Sequence, residues 1–292
     1  METSELLKKV RKIEIRTRGL SKHIFSGEYH SAFKGRGMAF SEVREYQIGD
    51  DIRSIDWNVT ARYNEPFVKI FEEERELTVI LLVDVSGSEY FGTRTQFKKE
   101  LITELCAVLS FSALQNNDKI GLIFFSDQIE KFIPPKKGKT HVLRIIRELL
   151  EFEPKGKGTN IEEALKYMNN VIKKRSIVFI MSDFLDENNF EKPLMILSKK
   201  HDTVAMQFLD KAEEELPRMS MVRIIDSESG KIMWIDSTKK YVREAYRNWW
   251  ESKQKNLSLM FTRCNVDLVQ IRTDQNYVTP LRNFFLKREV RR

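Results

Sequence analysis

Leu77-Thr78-Val79-Ile80-Leu81-Leu82-Val83 runs directly into Asp84-Val85-Ser86-Gly87-Ser88. A short, almost wholly apolar run rich in Val, Ile and Leu has the composition of a strand buried on both faces of a parallel sheet. The D-x-S-x-S loop then falls just past the carboxyl end of a central strand, where open α/β sheets bind ligands. Asp84, Ser86 and Ser88 offer only oxygen donors. Such hard ligands suit Mg²⁺, Mn²⁺ or Ca²⁺ and not zinc. The two serines fall on alternate residues, so both hydroxyls can turn toward one point, and Gly87 lets the backbone bend tightly between them.

Outward from this junction, strands and helices alternate. Thr95–Gln115 carries Phe97, Leu101, Leu105, Val108 and Ser112 on one face and reads as a long amphipathic helix. Strands are predicted over Lys119–Phe125, Ser176–Ser182, Thr203–Leu209 and Val266–Ile271, with an edge strand over Gln128–Pro135 closed by two prolines. Helices are predicted over His141–Leu150, from Thr159 or Asn160 to about Ile172, over Phe190–Lys200 and over Tyr277–Lys287. Val222–Ile225 and Lys231–Ile235 flank a hairpin signal, and a long polar helix with Trp249 and Trp250 follows from Thr238 to about Arg263. The expected architecture is a doubly wound, mostly parallel sheet with helices on both faces. Residues 1–76 form an N-terminal accessory segment. Residues 77–210 and 265–292 form the α/β domain, and 211–264 form a hairpin-plus-helix insertion before the last strand.

The composition limits the functional classes. The 292 residues are 41% hydrophobic and 32% charged, the balance of a globular protein with a charged surface. No apolar run reaches the ~18 residues of a membrane-spanning helix, and the N-terminus lacks the apolar stretch of a signal peptide. A cytoplasmic protein is expected, with Cys106 and Cys264 as two reduced structural thiols. The net charge of +7 is uneven: residues 1–40 carry +5, residues 41–76 carry −5, and Arg282–Arg292 carries +4. Basic ends suit nucleic acid or an anionic surface, but the adjoining acidic block favours internal pairing, so nucleic-acid binding is a secondary reading.

Three loops converge on one rim of the expected sheet. They bring Asp84, Ser86 and Ser88, then Thr159 after Lys155-Gly-Lys-Gly158, then Asp183 after the Ser176–Ser182 strand. These five residues, in this β–α order, resemble the metal-ion-dependent adhesion site of von Willebrand factor A domains. The resemblance implies a Mg²⁺ held by these side chains directly or through water, with a partner's carboxylate filling the open position.

A second stretch is also distinctive. Gly37-Met-Ala-Phe-Ser-Glu42-Val-Arg44-Glu-Tyr46-Gln-Ile-Gly49-Asp50-Asp51-Ile-Arg53-Ser-Ile-Asp56-Trp57-Asn-Val-Thr-Ala61-Arg62 resembles the hallmark block of the bacterial "domain of unknown function" family number fifty-eight, which joins this block to a von Willebrand A-like domain. The resemblance implies an adaptor role beside a MoxR-type AAA+ ATPase. The block itself alternates arginine with carboxylates. Its plain reading is a knot of charge pairs, since Arg–carboxylate pairs are bidentate and geometrically specific. Arg44, Tyr46, Arg53, Trp57 and Arg62 are the candidates for a partner-docking face.

No phosphate-binding loop and no Cys/His or Ser/His nucleophile pair is present. A single metal among neutral hydroxyls also lacks the general base that hydrolysis requires. The expectation is therefore a non-enzymatic, Mg²⁺-dependent protein-binding module, with Mn²⁺ or Ca²⁺ as possible substitutes. Its partner would be the AAA+ ATPase or another protein offering an Asp or Glu. A basic nucleic-acid-binding scaffold is the alternative, and a metal-dependent hydrolase stands behind it.

Overall fold

The computed structural model describes residues 39–63, 65–72, 76–87, 97–186, 188–225 and 232–290. The chain divides into two compact units, with Phe33–Glu76 as the smaller. In that unit β1 (Ala39–Glu45) pairs antiparallel with β2 (Phe67–Glu72), with a shift in register between Phe40 and Glu42. A 3₁₀ turn at Ile52–Ser54 and the short helix α1 (Trp57–Tyr63) connect the two strands. Asp51 caps the turn by accepting from the Arg53 N–H at 3.0 Å. Asp56 caps α1 by accepting from Asn58 at 3.0 Å and Val59 at 3.3 Å.

The larger unit is built on six strands: β3 (Thr78–Asp84), β4 (Lys119–Phe125), β5 (Ile129–Lys136), β6 (Ile177–Ser182), β7 (Asp202–Leu209) and, after a hairpin, β10 (Asp267–Arg272). Their spatial order is β10-β7-β6-β3-β4-β5. All neighbours are parallel except β5, which runs antiparallel to β4 along one edge. Pro134 and Pro135 lie within β5. Val79 to Val83 are at most 1% exposed, as expected of a strand with neighbours on both sides and helices on both faces.

The helices are α2 (Lys98–Gln115), α3 (Lys139–Glu151), α4 (Ile161–Val171), α5 (Glu191–Lys200), the single turn α6 (Lys211–Glu214), α7 (Lys240–Arg263) and α8 (Val278–Val290). The strands β8 (Met221–Ile225) and β9 (Ile232–Asp236) pair antiparallel, as the hairpin signal predicts. Two helices, α2 and α7, depart from the sequence reading in three respects. First, α2 is not amphipathic. Leu101, Ile102, Leu105, Cys106, Leu109 and Ala113 are all buried, because the helix lies between the sheet and α3. Second, its start inverts the expected burial. Phe97, expected on the buried face, precedes the first turn and is half exposed, whereas Lys98 is fully buried. Third, α7 is more than a peripheral polar helix. Leu257 and Phe261 join the core cluster with Phe184, Phe190 and Leu194, so the end of α7 covers the sheet as the crossover into β10. Of its tryptophans, Trp250 is buried and Trp249 is exposed.

Candidate functional site

At the rim of the sheet, β3 ends in Asp84 and β6 ends in Ser182, followed by Asp183. Both carboxylates are 1% exposed, and Ser86 and Ser182 are completely buried. Asp84 Oδ1 accepts the Ser86 N–H at 2.9 Å. Its Oδ2 accepts the Ser182 hydroxyl at 2.6 Å. Burial first, and the nearby Asp183 charge second, push the Asp84 carboxyl up to about 7. Two carboxylates have thus been withdrawn from water into mutual repulsion, and this repulsion costs stability unless a cation relieves it.

The turn after β6 is held by its own polar groups. Phe184 donates its N–H to Ser182 Oγ at 3.0 Å, and Leu185 donates to Asp183 Oδ1 at 3.1 Å. Phe184 has φ of 58°, the left-handed region that bulky residues rarely adopt. Its ring sits edge-on to Phe261 at 5.0 Å and beside Phe190 at 6.3 Å. Packing of this large side chain maintains a backbone turn that aims Asp183 at the rim.

The third loop is tied to the other two. Gly87 N–H donates to the Lys157 carbonyl at 2.9 Å, and Asn160 N–H donates to Ser126 at 2.8 Å. Glu130 Oε1 gathers the Lys155 N–H at 3.0 Å, the Gly156 N–H at 2.7 Å and the Ser126 hydroxyl at 2.8 Å. At Gly156 a Cβ would stand 1.8 Å from Asp127 Oδ1 and 2.3 Å from the buried Ser126 Oγ, so a larger residue there requires these side chains to shift. Asn160, not Thr159, caps α4, by accepting the Glu163 N–H at 3.0 Å. Thr159 precedes the cap and is buried. The Ile161 N–H donates to Asp186 at 2.8 Å, which joins this loop to the one after β6.

Asp84, Ser86, Thr159 and Asp183 therefore lie on three mutually braced rim loops. Ser88 lies outside the described residues. Among the described residues no group of three or more His, Cys, Asp or Glu side chains is disposed to hold a metal. Any ion here relies on two carboxylates and the hydroxyls beside them. That donor set is all oxygen and suits a hard divalent cation.

Sequence reasoning missed Lys98. Its ammonium, at the first residue of α2, reaches Asp183 Oδ2 at 3.1 Å and Glu213 Oε1 at 2.6 Å. Glu213 stands in α6, and Asp210 and Glu213 form a reciprocal capping box there. The D-x-x-E spacing of Asp210 and Glu213 was a readable signal for the turn. Nothing local signalled the lysine, because its partners lie 85 and 115 residues away.

The five candidate docking residues belong to the smaller unit. Arg44 forms a two-pronged pair with Asp50 at 2.7 and 2.8 Å, as the alternation of charges predicts. Tyr46 is half buried and donates its N–H to the Pro66 carbonyl at 2.8 Å. Arg53, Trp57 and Arg62 are exposed.

A family model described as "Protein of unknown function DUF58" matches residues 42–256. An uncharacterised protein of Mycobacterium tuberculosis is 26% identical over 290 residues, covering 99% of this chain and 91% of that protein. Among solved structures, the conserved hypothetical protein BatB of Bacteroides thetaiotaomicron is similar with a TM-score of 0.44 and 13% identity, covering 74% of this chain and all of that one. A von Willebrand factor type A protein of Catenulispora acidiphila is similar with a TM-score of 0.45 and 10% identity, covering 76% of this chain and 43% of that one.

Proposed function

The chain belongs to the DUF58 family, and from that premise and the chemistry of the rim we propose a non-enzymatic module that binds a partner protein through a divalent cation. Asp84, Ser86, Ser88, Thr159 and Asp183 would hold Mg²⁺, or Mn²⁺ or Ca²⁺ in its place. An Asp or Glu of the partner would complete the shell. When bound, the ion supplies the largest local positive charge at the rim, which is what draws in a carboxylate. The observation that carries this reading is the burial of Asp84 and Asp183 together among hydroxyls, with Asp84 held up near 7. The partner that the family resemblance implies is a MoxR-type AAA+ ATPase.

The nucleic-acid alternative has less support. Arg288 in the basic tail pairs with Asp202 and Asp267, and Arg272 pairs with Glu214, so these charges are largely spent inside the molecule. Among the described residues no helix is long and apolar enough to cross a membrane.

Two measurements test the proposal. Calorimetric titration with Mn²⁺ should show one site in the wild type and none in Asp84→Ala. A pull-down of the ATPase should succeed in Mg²⁺ and fail in EDTA or with Asp183→Ala. Equal ion binding by wild type and Asp84→Ala would eliminate the site. A complex indifferent to EDTA would move docking elsewhere, to the residues around Arg53 and Trp57 or to Trp249.

A further inference from the structure

A lysine with no solvent exposure is costly to keep, because burying an unpaired ammonium is among the most unfavourable changes a fold can make. Lys98 is buried in a doubly adverse place. It opens α2, and the positive end of a helix dipole disfavours a cation. Two carboxylates compensate it, Asp183 at 3.1 Å and Glu213 at 2.6 Å, with side chains 1% and 13% exposed. One of these is a proposed ligand of the divalent ion. The other reaches the same ammonium from α6, beyond the end of β7. The charges reinforce the point. When ionised, Asp84, Asp183 and Glu213 carry three negative charges against one positive charge on Lys98. A divalent ion added to that set balances it.

We propose that Lys98 is a resident cation of the rim site, which engages Asp183 in the metal-free protein and weakens divalent-ion binding by sharing that carboxylate and adding its own charge. This rests on the reading of Asp84 and Asp183 as metal ligands. The ammonium serves two ends. It keeps Asp183 oriented when no metal is bound, and it keeps the ion exchangeable. Removing the charge while preserving the length of the side chain therefore strengthens metal binding instead of abolishing it. A lysine that only braced the loop would behave in the opposite way.

The test is direct Mn²⁺ titration of wild type, Lys98→Met, Lys98→Arg and Asp84→Ala, with melting curves of each in EDTA and in Mn²⁺. Lys98→Met should bind on the order of tenfold more tightly or better, because the ion would no longer share the Asp183 carboxylate with a like charge, and like charges repel strongly in a protein interior. Lys98→Arg, which keeps the charge, should stay close to wild type. Lys98→Met should melt lower than wild type in EDTA and recover more on adding Mn²⁺. If Lys98→Met does not fold, Lys98→Met/Glu213→Gln compared with Glu213→Gln reads the same difference with one fewer unpaired anion. Unchanged or weaker binding by Lys98→Met, with binding still lost in Asp84→Ala, overturns the role of Lys98 and leaves the metal site standing. Absence of binding in every variant overturns both.

Discussion

His201 ends α5 with its ring 2% exposed. Its Nδ1 accepts the Ser176 N–H at 3.2 Å at the entry to β6, the strand whose far end carries Ser182 and Asp183. Its Nε2 is buried without a hydrogen-bond partner among the described residues. Protonation would cost the Nδ1 acceptor and would bury a charge. Burial first, then the Lys200 and Arg175 charges, lower its pKa from 6.5 to about 4. Between these values the unfolded chain binds the proton and the folded chain does not, so stability rises with pH there and is lost as pH falls from 6.5 toward 4. The displacement from 6.5 to about 4 is worth about 3 kcal/mol at 1.36 kcal/mol per pH unit. The perturbation that isolates it is His201→Asn, whose amide oxygen can replace Nδ1 as acceptor without titrating. Urea unfolding at intervals from pH 7.5 to pH 4 should show the wild type losing its advantage over His201→Asn by about 3 kcal/mol. Carboxylates elsewhere titrate in both proteins and cancel from the difference. Parallel stability curves would refute the assignment of this pH dependence to His201.

Other substitutions probe the rim. Gly156→Ala should cost about 1–3 kcal/mol of stability, because its methyl meets Asp127 Oδ1 at 1.8 Å; an unchanged melting temperature would mean the loop yields freely. Phe184→Ala should cost about 3–5 kcal/mol through the lost ring. Because φ is 58° there, Phe184→Gly should be about 1 kcal/mol more stable than Phe184→Ala, the reverse of the usual order; the ordinary order in chemical denaturation would show that the turn carries no strain. In EDTA, Asp84→Asn should melt above wild type at pH 8 and lose that advantage near pH 4. A carboxyl raised from 3.8 to about 7 makes the wild type less stable as pH rises through that window, by up to about 4 kcal/mol. A variant that melts lower at pH 8 would show Asp84 to be a structural acceptor.

What was legible in the sequence follows from range. The five parallel strands announce themselves because a strand covered on both faces needs apolar side chains at nearly every position, as in β3 and β6. The rim residues were legible because Asp84, Ser86, Thr159 and Asp183 occupy fixed places relative to those strands. The pairing of Lys98 with Glu213 was not legible, because folding alone brings α2 and α6 together and the local sequence Phe97-Lys98-Lys99-Glu100 reads as a solvated helix start. Helical periodicity likewise misassigned α2. Its apolar stripe is real, but Ser110, which looks like a solvent position, is buried as well. Ser110 is accommodated by donating its hydroxyl to the Cys106 carbonyl at 2.7 Å. In α7 the apolar residues are sparse enough that the core contribution of Leu257 and Phe261 is lost among lysines and arginines.

The prolines of β5 have a consequence for recruitment. Among the described residues β5 is the outermost strand on its side of the sheet, and Pro134 and Pro135 within it carry no N–H to donate. A foreign peptide that tried to continue the sheet would meet gaps in the donor row, as would a second copy of the chain. Partners are thereby steered away from strand addition along this margin, and an exposed sheet edge is kept from seeding end-to-end polymers.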